Sequence, residues 1–200
     1  HKNSLELLHK HNKRLLSKFY KLKRKNLDGK QIPKVILANQ DSEHFKDYSK
    51  FKADQKYSYS VTNAKASDFF TSNIQSGTKG SKFTVQKQDF TLNIPGEINI
   101  SNATAAIAAA KILGLSLKQI SKQLLTYKEV PGRMNLIEEG QPFTVVIDYA
   151  HEESGLGYLL DWANQVKSKN SRIITLICGQ GGGRDVKKRP LMGKLAAQRS

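Results

Sequence analysis

An α/β fold built on parallel strands is the class this sequence predicts, and three observations predict it. Short runs at Lys34 to Ala38, Phe143 to Ile147 and Arg172 to Ile177 have the length and β-branched or aromatic content of buried strands. Between the last two, Leu156, Leu159, Leu160, Ala163 and Val166 recur at helical spacing, with Glu152 and Glu153 in the first turn, where carboxylates suit the positive end of the helix dipole. Polar or glycine-rich stretches follow the runs: Asp148 and His151 after one, Cys178-Gly179-Gln180-Gly181-Gly182-Gly183-Arg184-Asp185 after another. This order predicts a βαβ unit with a right-handed crossover and parallel strands. Asp148, His151 and the glycine loop then meet at the carboxyl edge, where open α/β sheets bind ligands.

The other elements follow in chain order. His1 to Lys25 carries Leu5, Leu8, Leu15, Leu16, Phe19 and Leu22 at roughly helical intervals and predicts an amphipathic helix. Lys34 to Ala38, ending in Asn39-Gln40-Asp41, fits a strand and strand-end loop of a central parallel sheet. Val61 to Ile94 alternates short apolar runs with Gly77, Gly80 and Asn/Ser-rich turns, the pattern of antiparallel strands or hairpins. Ala103 to Ile112 is an alanine-rich helix with few large side chains, so it requires a closely packed neighbour. Leu115 to Tyr127 is a further amphipathic helix, starting at Ser116, with Gly114 closing the one before. Pro131-Gly132-Arg133 interrupts the chain, and a domain boundary falls between Arg133 and Gln141, giving domains at 1–135 and 136–200.

With 200 residues the chain can bury a sizeable core. No apolar run approaches the ~20 residues of a membrane span, and no signal-peptide pattern opens the chain. The lone Cys178 excludes an intrachain disulfide and a cysteine cluster for zinc. These features predict a cytoplasmic protein with no membrane partner. The 33 Lys and Arg against 17 Asp and Glu give a net charge of +16. About half of that surplus lies in His1 to Lys34, where basic residues face only Glu6 and Asp28. A solvated basic helix face accounts for it better than a nucleic-acid site, because no interleaved aromatics offer a stacking platform.

The glycine loop allows backbone amides to close on an anion, with Arg184, Lys187, Lys188 and Arg189 supplying positive charge beside it. Read alone, Asp148 is equally a turn or cap residue, Asn99 and Asn102 read as helix caps, and Arg184 has Asp185 as a local partner. DYAH at 148–151, GGGRDVKKRPLMG at 181–193 and PGRMN at 131–135, however, resemble the Mur ligases that add the third amino acid to UDP-N-acetylmuramoyl-L-alanyl-D-glutamate in peptidoglycan synthesis. The usual second motif is GGDRDKGKRPLMG, so Gly183 replaces an Asp and Lys187 a Gly. The resemblance implies part of a central parallel-sheet ATPase domain followed by the start of a Rossmann-like C-terminal ligase domain.

It also implies roles. Asn99 and Asn102, in the stretch resembling G-x-(F)N-x-x-N-A-x-A-A, meet the adenine of ATP; Arg133 contacts ATP at the hinge; Asp148 and His151 belong to the nucleotide side; Arg184 takes the carboxylate of the incoming amino acid. Lys13 is the counterpart of the family's carbamylated lysine, which helps hold Mg2+, although the spacing needs an extra residue or two and Asn12 replaces a usual Ala; an ordinary surface lysine is the other reading. The expected reaction is ATP-dependent amide formation through an acyl phosphate, joining a UDP-N-acetylmuramoyl dipeptide and a free amino acid. No G-x-x-x-x-G-K-[ST] phosphate loop occurs, so the 200 residues by themselves are expected to be inactive. The alternatives are a noncatalytic basic module binding nucleic acid or protein, and a Mur-like ligase with another substrate.

Overall fold

The computed structural model describes residues 2–62, 66–179 and 186–200. Helix α1 (Lys2–Phe19) stops short of the predicted Lys25 because another element closes its end. The ammonium of Lys34 donates to the carbonyls of Phe19 at 3.0 Å, Tyr20 at 2.8 Å and Leu22, which satisfies the helix terminus and lets a lysine be buried. A small hairpin of β1 (Asn26–Leu27) and β2 (Lys30–Gln31) then turns through Asp28 and Gly29 at φ 49° and 77°, as a type I′ turn requires.

The central sheet has strand order β3-β4-β5-β6-β7, comprising β3 (Val35–Asn39), β4 (Gln55–Ser60), β5 (Phe69–Ser76), β6 (Ser81–Val85) and β7 (Gln88–Leu92). β3, β4 and β5 are parallel, with Val35 opposite Gln55 and Tyr59 opposite Phe69, and the short helix α2 (Phe45–Ser49) lies in the first crossover. Asp41 ties the ends of β3 and β4: its carboxylate accepts from the hydroxyls of Ser60 at 2.6 Å and Thr62 at 2.5 Å and from the Val61 N–H at 2.8 Å. Burial alone would raise its pKa, but these hydrogen bonds outweigh burial and hold it below the usual carboxylate value. β5, β6 and β7 are the antiparallel strands that the alternating pattern predicted.

Helices α3 (Glu97–Ile112) and α4 (Leu117–Leu125) cover this sheet. Ile100, Ala103, Ile107 and Ala108 of α3 are buried in one cluster with Phe69, Phe83, Val85, Phe90 and Leu92, so the small side chains serve close approach, as expected. Thr104 and Thr71, both buried, share a 2.6 Å hydrogen bond across that contact. Because α3 begins at Glu97, Asn99 and Asn102 lie inside the helix and not at its cap. α4 starts with the capping box of Ser116 and Gln119.

The last third departs from the predicted βαβ unit. β9 (Val145–Ile147) pairs antiparallel with β8 (Asn135–Ile137), Asn135 opposite Ile147, and α5 (Glu153–Val166) and α6 (Lys188–Arg199) follow. Residues 172–177 form no strand among the described residues, because a strand needs a neighbouring backbone to bond and none is assigned to this run. Its alternation survives: Ile173 and Ile177 lean on Leu156, Leu160, Met192 and Ala196, whereas Ile174 and Leu176 are 82% and 99% exposed. Phe143 and Ile147 are also exposed, so neither run is buried on both faces. No helix among the described residues is long and apolar enough to cross a membrane.

Candidate functional site

Three separate stretches converge beyond the end of β9. After α4 the chain turns at 130–133, where the Arg133 N–H donates to the Val130 carbonyl at 2.9 Å, Pro131 fixes the second position and Gly132 supplies a φ of 70°. This is type II turn chemistry. Met134 follows with φ 49°, and its N–H donates to Asp148 Oδ2 at 2.8 Å; the Tyr149 N–H donates to the Gly132 carbonyl at 2.7 Å. The turn is thus bolted to the end of β9, and Asp148 is part of the bolt.

The start of α3 stands opposite. Gly96 holds φ 92°, which side-chain-bearing residues rarely adopt, and Met134 packs beside it. Asn99 Nδ2 donates to the Pro95 carbonyl at 2.7 Å, and Asn102 Nδ2 approaches Asn99 Oδ1 at 3.4 Å. Between α3, the turn and α5 lies a cavity of about 460 Å³, lined by Asn99, Asn102, Arg133, Asp148 and His151 among others. Its volume is in the range of small-molecule sites.

The walls also carry residues that sequence reasoning missed. The Arg133 guanidinium lies 5.3 Å from the centre of the Tyr149 ring, which is itself 5.0 Å from the His151 ring. Tyr149 sits inside DYAH between two residues already singled out, so that motif could have revealed it. Tyr158 and Trp162 line the cavity from α5, where helical spacing gives no such signal. Trp162 is 7% exposed, and its indole N–H is buried with no hydrogen-bond partner among the described residues.

His151 Nδ1 is 2.9 Å from the Tyr149 carbonyl; a carbonyl only accepts, so Nδ1 carries the proton. Its Nε2 is 3.7 Å from Glu152 Oε1, and the same oxygen accepts from Lys188 Nζ at 2.7 Å. Lys188, counted among the cations beside the glycine loop, is buried at 2% exposure and paired with Glu152. Arg184 and the glycines at 181–183 lie outside the described residues.

Lys13 does not line the cavity. Its Nζ is 2.9 Å from Asp47 Oδ2, Lys50 holds Oδ1 at 2.9 Å, and His9 Nε2 approaches Oδ2 at 3.0 Å. Hydrogen bonds from Lys13, Lys50 and His9, in that order of effect, keep the Asp47 carboxyl well below the usual range. Ligand atoms of His9, His44 and Asp47 lie within 4.8 Å of one another. Two ammonium groups already occupy the carboxylate, however, and the imidazoles stack at 4.0 Å, so the cluster latches α1 to α2 and is no cation cage. A carbamate on Lys13 would replace the ammonium now paired with Asp47 by a second anion.

The Mur ligase middle domain family matches residues 9–110, and the Mur ligase glutamate ligase domain family matches residues 132–200. The chain is 37% identical over 176 residues to the UDP-N-acetylmuramoyl-L-alanyl-D-glutamate--2,6-diaminopimelate ligase of Solibacter usitatus, covering 86% of this chain and 35% of that protein. It is 40% identical over 154 residues to the ligase of the same name from Synechocystis sp., covering 72% and 29%. A solved structure of a diaminopimelate ligase of that name superposes with a TM-score of 0.57 at 28% identity, over 84% of this chain and 35% of the other. MurF from Acinetobacter baumannii shares the fold, with a TM-score of 0.57 at 24% identity over 66% and 30%. The chain spans about a third of the length of the curated relatives it matches. With the middle-domain match alone covering half of the sequence and the glutamate ligase domain match most of the rest, this chain belongs to the Mur ligase family.

Proposed function

We propose that this chain carries the nucleotide cleft of an ATP-dependent ligase that adds the third amino acid to UDP-N-acetylmuramoyl-L-alanyl-D-glutamate in peptidoglycan synthesis. The observation that carries the reading is the convergence of Asn99, Asn102, Arg133, Asp148 and His151, from α3, the turn and the end of β9, on one cavity of nucleotide size. The names of the relatives support the substrate class.

Asn99 and Asn102 present amides to the adenine, which needs a donor and an acceptor together. Asp148, with Oδ2 held by Met134, offers its other oxygen to the ribose hydroxyls. Arg133, steadied over the Tyr149 ring, brings positive charge toward the phosphates. The aromatic walls of Tyr149, Tyr158 and Trp162 fit a flat ligand. Bound ATP supplies the phosphoryl group that activates the substrate's terminal carboxyl for attack by the amine. Arg184 takes the carboxylate of that amine's amino acid, because a guanidinium fork matches a carboxylate with two parallel bonds. No step runs through magnesium on Lys13. Photolabelling of the intact ligase with an azido-ATP tests the reading. Label on peptides spanning 95–102 or 148–162 is expected, and label confined to other peptides refutes it.

A further inference from the structure

We infer that Lys188 is a positioning residue for the nucleotide cavity and that it acts through Glu152, an inference resting on the reading of the cavity above. Glu152 stands at the N-cap of α5 yet makes no side-chain cap bond. A carboxylate at that place ordinarily stabilises the helix by accepting from its first N–H groups. Here it is diverted to Lys188, the first residue of α6, at 2.7 Å. The Lys188 side chain is 3% exposed, so its charge has little water, and among the described residues Glu152 is the carboxylate that pairs with it.

Toward the other end of the helix pair, Arg199 Nη1 donates to Asp161 at 2.6 Å and Asn164 Nδ2 donates to the Arg199 carbonyl at 3.1 Å. Start meets start and end meets end, so α5 and α6 run side by side in the same direction. The apolar contacts of Leu156 and Leu160 with Met192 and Ala196 hold their middles. The cavity is lined along much of α5, and the Lys188–Glu152 pair is the polar tie at its start, where Glu152 and His151 both line the wall. Without the ammonium, Glu152 would be released to cap α5 or to engage His151, 3.7 Å away, and the wall would move. Lys188 itself does not line the cavity.

Lys188→Met and Glu152→Gln in the intact ligase test this. Lys188→Met should raise KM for ATP about three- to tenfold, the share of a charged hydrogen bond transmitted through a neighbour, with kcat changed less than KM and the KM for the UDP-linked substrate unchanged. Lys188→Arg, which keeps the charge and the reach, should restore KM for ATP. Glu152→Gln should match Lys188→Met, and the double variant should be no worse than either, because one interaction is removed. A purely structural role would lower the folded fraction and leave KM alone. Unchanged KM for ATP in folded Lys188→Met, or additive effects in the double variant, overturns the inference. If Lys188→Met does not fold, Glu152→Gln decides, and unchanged KM for ATP in it overturns the inference equally. Azido-ATP label away from the cavity in the wild type would instead remove the reading beneath it.

Discussion

Asp148 has two jobs in this account, and its variants separate them. Oδ2 accepts the N–H of Met134, which is 5% exposed and held at φ 49°. Asp148→Ala leaves that N–H without its charged acceptor, a loss of about 1.5–3 kcal/mol. For a chain of this size that corresponds to a fall in Tm of roughly 3–12 °C. Asp148→Asn keeps an acceptor in place and loses only its charge, so about half of that stability loss is expected. Both variants lose the carboxylate assigned to the ribose hydroxyls, so both should raise KM for ATP in the intact ligase by about tenfold. Urea denaturation of the 200-residue chain and initial-rate kinetics of the ligase give the two readouts. An unchanged KM for ATP in Asp148→Asn would refute the nucleotide role, and a stability loss below about 0.5 kcal/mol in Asp148→Ala would refute the bolt.

Arg184→Lys should raise KM for the incoming amino acid by an order of magnitude or more, about 1.5–3 kcal/mol for one of two charged bonds, and leave KM for ATP alone; the reverse pattern would move Arg184 to the phosphates. Thr104→Val strands the hydroxyl of buried Thr71 and should cost about 1–3 kcal/mol in urea melts, whereas Thr71→Val with Thr104→Val should cost less than Thr104→Val alone. A double variant worse than the sum of the singles would falsify that pairing. The hydrogen bonds from Arg24 and then from the Lys34 N–H lower the Asp54 pKa from 3.8 to about 2. A lowered folded-state value means that Asp54 stabilises fully above the unfolded value and that its contribution disappears as pH falls from 3.8 to about 2. Asp54→Asn should therefore flatten that part of an acid titration followed by circular dichroism, and an equally steep curve would count against the pair.

Periodicity was enough for β3, for β5 to β7 and for α4, the last of which carries its cap residues within the local sequence, but β4 went unread. The start of α3 escaped it: an alanine-rich helix has little apolar contrast, so Asn99 and Asn102 looked like caps when they are helical residues facing a cavity. The last third misled for another reason. A run such as 172–177 declares that its residues suit a strand, but hydrogen-bond partners come from elsewhere in the chain, and composition does not name them. The site divides in the same way. Motifs gathered Asn99, Asn102, Arg133, Asp148 and His151, which the structure brings to one cavity. Tyr158, Trp162 and the pairing of Lys188 with Glu152 stayed hidden, since aromatics in an apolar helix and a lysine in a basic motif acquire their partners only from how α5 meets its neighbours.

The bond between Asp148 and the Met134 N–H also has a mechanical meaning. The cavity draws one wall from α3, inside the middle-domain match, and the other from α5, inside the glutamate ligase domain match, and the 130–134 turn is the joint between them. The carboxylate that faces the cavity is the same one that fastens the joint. An occupant bonded to Asp148 therefore shares an atom group with the fastening of the joint, and by reciprocity any free energy by which the occupant favours that fastening is the free energy by which the fastening favours the occupant.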